Sequence, residues 1–123
     1  MGRIISFSNQ KGGVGKTTTC VNMAAYLSAA NRKVLLVDLD PQGNATTGLG
    51  FSKSSLKKSV YNVLIDEEDV KENILPTELP DLFILPSNID LAGAEVELVY
   101  KKNREKVLKG ALEKVRADYD YIL

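Results

Sequence analysis

Residues 11–18 read Lys11-Gly12-Gly13-Val14-Gly15-Lys16-Thr17-Thr18, a glycine-rich stretch that carries two lysines and ends in two threonines. An apolar run at residues 3–8 precedes it and is typical of a strand, whereas residues 16–30 have the pattern of a helix. Glycines let the backbone turn several N–H groups toward one point, and the helix N-terminus adds partial positive charge. This order of strand, glycine-rich turn and helix predicts a loop that wraps a phosphate chain.

The next apolar run, Val34-Leu35-Leu36-Val37, is continuous and therefore typical of a parallel strand that is covered on both faces. Together with the first strand and helix it forms one right-handed βαβ unit. Further strands are expected at residues 81–85 and 118–123, and further helices at residues 59–65 and 103–117. We therefore predict a single α/β domain over residues 1–123, in which a mostly parallel sheet carries helices on both faces.

Two carboxylates follow this second strand in the sequence Asp38-Leu39-Asp40-Pro41-Gln42-Gly43-Asn44. Open α/β sheets bind ligands at the carboxyl ends of their strands, so both acids are expected beside the phosphate loop. A carboxylate there can orient a water that attacks the γ-phosphate, or hold Mg²⁺ through water. An isolated sequence of this kind would be interpreted as a solvated turn; behind a phosphate loop it indicates a functional site.

Composition excludes several other classes of protein. The 123 residues include 16 basic and 16 acidic side chains, one cysteine and no histidine. Catalysis by Ser–His or Cys–His pairs and histidine-based metal sites are therefore excluded within this sequence. A hard, oxygen-bound ion such as Mg²⁺ is the metal that the remaining residue types suit. No apolar run approaches the roughly 20 residues that span a bilayer, so no membrane partner is expected.

The sequence at residues 11–18 resembles the deviant Walker A box of the ParA, MinD and nitrogenase iron protein class of nucleotide switches. Asn9-Gln10 before it, the run from Asp38 to Gly50, and Pro86-Ser87-Asn88-Ile89-Asp90 together look like the ParA/Soj chromosome-partition ATPases. MinD-like relatives usually lack the Asn-Gln and the Pro-Gln-Gly-Asn, and the nitrogenase iron protein needs cluster cysteines that are missing here. The resemblance therefore indicates the ParA/Soj type, with a P-loop NTPase-like fold.

This resemblance implies roles by position. Lys16 would bind phosphate within its own subunit, and Lys11 would reach across a homodimer to the partner's ATP. Asp40 would handle the attacking water, which makes Lys11, Lys16 and Asp40 the implied catalytic set. The metal would be Mg²⁺, held by Thr17 with Asp40, and Asp38 is a weaker candidate for its outer shell. The nucleotide, ATP or ADP, would lie against the remaining loop residues as well: Gly12, Gly13, Val14, Gly15, Thr17 and Thr18.

The same resemblance implies a cytoplasmic, nucleoid-associated switch that dimerises around ATP, binds DNA without sequence preference and is stimulated by a ParB-type partner. In this family a strand such as residues 118–123 leads to the Walker B aspartate, so the sequence is expected to cover the amino-terminal portion of an ATPase domain. A sheet divided at this point is expected to expose an apolar edge and to self-associate. A non-catalytic nucleotide-binding or interaction module is the alternative, and a MinD-like membrane-positioning ATPase is a less favoured one.

Overall fold

The strand β2 (Val34–Val37) lies at the centre of the sheet that the described residues form, with five strands, and it pairs with a neighbouring strand on each side. The computed structural model describes residues 2–5, 14–38, 44–51, 59–64, 69–87 and 104–123. Within them the other strands are β1 (Arg3–Ile4), β3 (Leu75–Pro76), β4 (Leu82–Leu85) and β5 (Tyr121–Ile122). Their order across the sheet is β1-β5-β2-β4-β3, and only the β3–β4 pair is antiparallel.

Helices lie between these strands in the sequence. They are α1 (Val14–Ala29), α2 (Asn44–Gly48), α3 (Val60–Leu64) and α4 (Arg104–Glu113), together with short 3-10 helices at Val70–Asn73 and Arg116–Asp118. No helix in the described ranges is both long and apolar enough to cross a membrane.

The two faces of the sheet carry separate apolar clusters, because successive residues of a strand point to opposite sides. Leu35 of β2 belongs to a cluster with residues of α3 and α4 and of the segments around the two 3-10 helices. Val34 and Leu36 belong to the other cluster, with Ala24 of α1 and Ala45 of α2. All three β2 residues are fully buried. The predicted α/β fold, with a mostly parallel sheet and helices on both faces, is therefore confirmed.

The end of α1 has the geometry that its sequence suggests. Asn31 adopts a φ of 64°, in the left-handed region that asparagine tolerates. The N–H of Arg32 then donates to the carbonyl oxygen of Leu27 at 3.0 Å, which satisfies a carbonyl that the helix leaves open. The chain is thereby turned toward β2.

Several boundaries differ from those predicted, and one strand was missed. The helix α1 begins at Val14, two residues before the predicted start, and α4 ends at Glu113, after which the chain tightens into a 3-10 helix. The strand β3 was not predicted because it has two residues, one of them Pro76, and pairs only with β4. A proline fits there because an edge strand leaves one row of N–H groups unpaired.

At the opposite side of the described sheet, β1 pairs only with β5. Ile4 and Ile5, at this side of the sheet, remain 41% and 37% exposed. That the sheet exposes an apolar edge remains a prediction. Self-association through this edge remains a prediction.

Gly2 lies against the backbone of residues 116–119. Its N–H donates to the carbonyl oxygen of Arg116 at 3.1 Å, and its own carbonyl accepts from Nε of Arg116 at 2.8 Å. A Cβ at this position would lie 2.6 Å from the Arg116 oxygen and still closer to that of Tyr119. Because both atoms belong to the backbone, we expect Gly2→Ala to lower the free energy of unfolding by about 1–3 kcal/mol in urea denaturation.

Gly110 in α4 is the matched control, since no atom lies within 4 Å of a Cβ built there. Gly110→Ala is expected to raise the free energy of unfolding by about 0.5–1 kcal/mol through helix propensity. Equal effects of the two substitutions on the free energy of unfolding would contradict the close packing of Gly2 against the backbone of Arg116 and Tyr119.

Candidate functional site

The helix α1 begins at Val14, within the predicted phosphate loop and directly after Gly12 and Gly13 in the sequence. Lys11, Gly12 and Gly13 lie outside the described residues, whereas the backbone of residues 14–18 forms the start of α1. The first turn contains no acidic residue. Its N–H groups lack partners within the helix and carry the positive end of the helix dipole. The predicted loop residues Val14, Gly15, Lys16, Thr17 and Thr18 therefore lie where a helix can receive an anion.

The carboxyl ends of β2 and β4 lie side by side. The two strands are in register, with Val37 opposite Leu85, and the N–H of Asp38 donates to the Leu85 carbonyl at 3.1 Å. On the other side of β2, the N–H of Val37 donates to the carbonyl of Leu123 at 2.9 Å. Residues that follow these strands are thus placed along one edge of the sheet, as the sequence predicts for Asp38.

Asp38 is 4% exposed, and its carboxylate holds the first turn of α2. Its Oδ2 accepts hydrogen bonds from the backbone N of Thr46 at 2.9 Å and from Oγ1 of Thr46 at 2.7 Å. The N–H of Ser87 donates to the same Oγ1 at 3.0 Å. Thr46 and Ser87 are both fully buried. A carboxylate, a hydroxyl and a backbone amide therefore link β2, α2 and the end of β4.

The negative charge of Asp38 also acts on α1, the helix that carries the phosphate-loop residues. The half-buried thiol of Cys20 has a pKa raised from 9.0 to about 11, first by burial and second by the charge of Asp38. Cys20 packs against the cluster on this face of the sheet, as do Val21 and Leu27. The carboxylate is therefore close enough to α1 and α2 to act on both.

The structure places only part of the predicted set. Asp38 lies at the expected edge, the segment 39–43 with Asp40 is outside the described residues, and for Thr17 the structure describes the helical backbone. Sequence reasoning missed Thr46 and Ser87 as members of the network. Both lie within the stretches that resemble the partition ATPases, and both follow soon after a strand, which was the available signal.

The arrangement fits a nucleotide accompanied by magnesium. Within the described residues, no group of three or more His, Cys, Asp or Glu side chains is placed to hold a metal ion. Magnesium with nucleotides is commonly held by one or two carboxylates together with phosphate oxygens and water, so it needs no such cage. The first turn of α1 contains no acidic residue and suits a phosphate anion, whereas the carboxylate of Asp38 at the sheet edge suits the accompanying magnesium cation.

A mostly parallel α/β sheet of this order, with a glycine-rich and lysine-containing sequence at the start of its first helix, has the fold of P-loop NTPases. The AAA domain family matches residues 2–123. The sporulation initiation inhibitor protein Soj of Bacillus subtilis is 54% identical over the whole chain, which covers 49% of that relative. The chromosome partitioning protein ParA of Myxococcus xanthus is 52% identical, again over the whole chain and over 44% of the relative.

Among solved structures, the fold is similar to that of cobyrinic acid a,c-diamide synthase from Mycobacterium smegmatis with bound ADP and magnesium. The TM-score is 0.93 and the identity 44%, with 99% of this chain and 49% of that one covered. The chain therefore belongs to the AAA domain family and, within it, to the ParA/Soj type of chromosome-partition proteins. It spans about half the length of the curated relatives that it matches.

The pKa of Cys20 leads to a test of the charge beside α1. With its pKa near 11, the thiol should be alkylated by iodoacetamide at about pH 8 roughly 100-fold more slowly in the folded chain than in urea, because the thiolate is the reactive form. Asp38→Asn should speed the folded-state reaction, since it removes the negative charge that opposes ionisation. Equal rates in the folded and unfolded chains would contradict this assignment.

The same pKa shift sets the sign of a stability effect. The unfolded thiol ionises near pH 9 and the folded thiol near pH 11, so the folded state holds the proton more tightly. The contribution of Cys20 to the free energy of unfolding is therefore present below pH 9 and falls as the pH rises to about 11. Cys20→Ala should remove this part of the pH dependence in urea denaturation, with the wild-type chain as the reference.

Proposed function

We propose that this protein binds and hydrolyses ATP with Mg²⁺ and acts as a nucleotide switch in chromosome or plasmid partition, residues 1–123 forming the amino-terminal part of one ATPase domain. The observation that supports this most directly is that α1, which begins at Val14 within the glycine-rich stretch, packs on the same face of the sheet as α2, the helix that the Asp38 carboxylate holds. A phosphate chain and its cation need positive and negative groups arranged in this way.

The proposed roles follow the order of residues along the loop. The backbone N–H groups of residues 12–18 bind the phosphates, and Lys16 contacts the β- and γ-phosphates of the nucleotide in its own subunit. Lys11 contacts the nucleotide of the partner subunit in an ATP-bound homodimer. Asp40 orients the attacking water.

Thr17 and Asp40 are the proposed magnesium-side residues. The carboxylate of Asp38 already accepts two hydrogen bonds from Thr46, which makes it the weaker candidate. When bound, magnesium supplies positive charge that stabilises the phosphate oxygens in the transition state. The chain's own contribution is to position these groups before the reaction.

The partners of the complete protein are proposed from the ParA/Soj relatives. They are a second copy of the chain across ATP, DNA bound without sequence preference and a ParB-type protein that stimulates hydrolysis. Such a protein would act in the cytoplasm, associated with the nucleoid. Hydrolysis would then release the dimer from DNA.

Titration of the chain with ATP and Mg²⁺ tests the nucleotide site. Lys16→Ala should weaken binding by roughly 100-fold or more, because a charge-assisted contact of up to about 3 kcal/mol is lost. Lys109→Ala is the matched control, since Lys109 is exposed on α4, on the other face of the sheet, and should bind as the wild type does. Unchanged affinity in Lys16→Ala would refute the assignment of the phosphate loop.

Measuring phosphate release from ATP distinguishes a hydrolysing nucleotide switch from a module that binds nucleotide without hydrolysis. In the full-length protein, Asp40→Ala should leave ATP affinity within about twofold and lower kcat by roughly 10²–10⁴-fold, because the water loses its orienting group. The variant should therefore accumulate in the ATP-bound state. Glu78→Ala, an exposed carboxylate in the β3–β4 connection, serves as the control. Wild-type turnover in Asp40→Ala would remove this assignment.

A further inference from the structure

The segment that carries Asp40 is tied together at its two ends. It leaves β2 at Asp38 and returns at α2, where Thr46 donates two hydrogen bonds to the Asp38 carboxylate, at 2.9 and 2.7 Å. Only residues 39–45 lie between these two partners in the sequence. Closing a short segment costs conformational entropy, and the two buried hydrogen bonds offset that cost.

The contact between Asp38 and Thr46 is itself attached to a second strand. The N–H of Ser87, just beyond β4, donates to Oγ1 of Thr46 at 3.0 Å. A backbone N–H can only donate, so the hydroxyl accepts from Ser87 and directs its own hydrogen to Asp38. The hydroxyl of Thr46 therefore has one defined orientation, and the start of α2 is connected to the residues that follow both β2 and β4.

The position of the carboxylate favours this anchoring over direct contact with a ligand. Asp38 is 4% exposed, and both hydrogen bonds from Thr46 go to the same oxygen, Oδ2. A buried carboxylate is tolerated when donors compensate its lost hydration, and Thr46 supplies two of them. The network joins the proposed water-handling segment to the sheet through three buried polar residues, Asp38, Thr46 and Ser87.

We propose that Asp38 is a positioning residue of the ATPase reaction: through Thr46 it fixes α2, and with it both ends of the segment that carries Asp40. The inference rests on the proposed function, because it assigns Asp38 a role in the same site. It differs from a role in the outer shell of magnesium, which depends on the charge of Asp38. Anchoring depends on the ability of its oxygen to accept hydrogen bonds.

Two substitutions of Asp38 separate these roles. In Asp38→Asn the amide oxygen can still accept both hydrogen bonds from Thr46, whereas the negative charge is lost. In Asp38→Ala both the charge and the acceptor are lost. If Asp38 anchors α2, the Asn variant should keep the amide protection and the ATP turnover that the Ala variant loses. If Asp38 instead ligates magnesium, both variants should lose ATP turnover to the same extent.

The anchor is first measured without nucleotide, by amide hydrogen exchange of the wild-type chain and the two variants. In Asp38→Ala the amides of Thr46 and Ser87 should exchange at least tenfold faster, and in Asp38→Asn within about threefold of the wild-type rate. The amides of Leu35 and Leu36, in the centre of the sheet, report whether the variants remain folded. Unchanged exchange at Thr46 in a folded Asp38→Ala chain would overturn the anchor.

The catalytic consequence is measured in the full-length protein by ATP turnover at varied ATP and Mg²⁺. Asp38→Ala should lower kcat about tenfold or more, with the KM for ATP and the half-saturating Mg²⁺ concentration within twofold of wild type. Asp38→Asn should restore most of the lost kcat. An Asn variant as slow as the Ala variant, or a raised Mg²⁺ requirement in both, would overturn the proposal in favour of a magnesium role.

Thr46 gives an independent route to the same result. Thr46→Val removes the hydroxyl at nearly constant size and should lower kcat as Asp38→Ala does, whereas Thr46→Ser should retain it. The loss of kcat in the double variant Asp38→Ala/Thr46→Val should be smaller than the product of the two single losses, because both substitutions remove the hydrogen bond between Oγ1 of Thr46 and Oδ2 of Asp38. A loss of kcat in the double variant equal to the product of the two single losses would count against anchoring of α2 by Asp38 and Thr46.

Failure of the inference can be told from failure of the proposed function. Absence of turnover in the wild-type full-length protein would overturn the function, and with it the positioning role. Normal wild-type turnover that Asp38→Ala leaves unchanged would overturn the inference alone.

Discussion

The pairing of β2 on both of its sides is the constraint from which the rest of the structure follows. Parallel hydrogen bonding to β4 and β5 places three strand ends along one edge of the sheet. It also leaves both faces of β2 to be covered, and its alternating residues are fully buried in two clusters. Because both faces are apolar, helices must pack on each, and α1 is thereby brought to the face that carries α2.

A buried charge at the end of this central strand would be costly without partners. Asp38 accepts two hydrogen bonds from Thr46, and Thr46 in turn accepts one from the amide of Ser87. The hydrogen bonds from Thr46 therefore compensate part of the hydration that the carboxylate loses on burial. Such a network restrains the groups that it joins, and placement of charged groups before a ligand arrives is what phosphoryl transfer requires of a protein.

Much of the fold could be predicted from local patterns. The continuous run at β2, the apolar run at β4 and the periodicity of α4 each indicate one type of element, and the structure contains all three. The strand β3 could not be predicted, because two residues that include a proline form a strand only when β4 lies beside them. In the site, Asp38 was expected at the sheet edge, but its hydrogen-bond partners were not.

The sequence by itself determined the class of the protein. The glycine-rich stretch with Lys11 and Lys16, the acids after β2 and the runs that resemble the partition ATPases are all local features, readable in order along the chain. Only the tertiary structure decided what Asp38 contacts. Ser87 follows Thr46 by 41 residues, and the two meet because β2 and β4 pair in register. Long-range pairing of this kind depends on how whole strands align, which no short pattern of residues specifies.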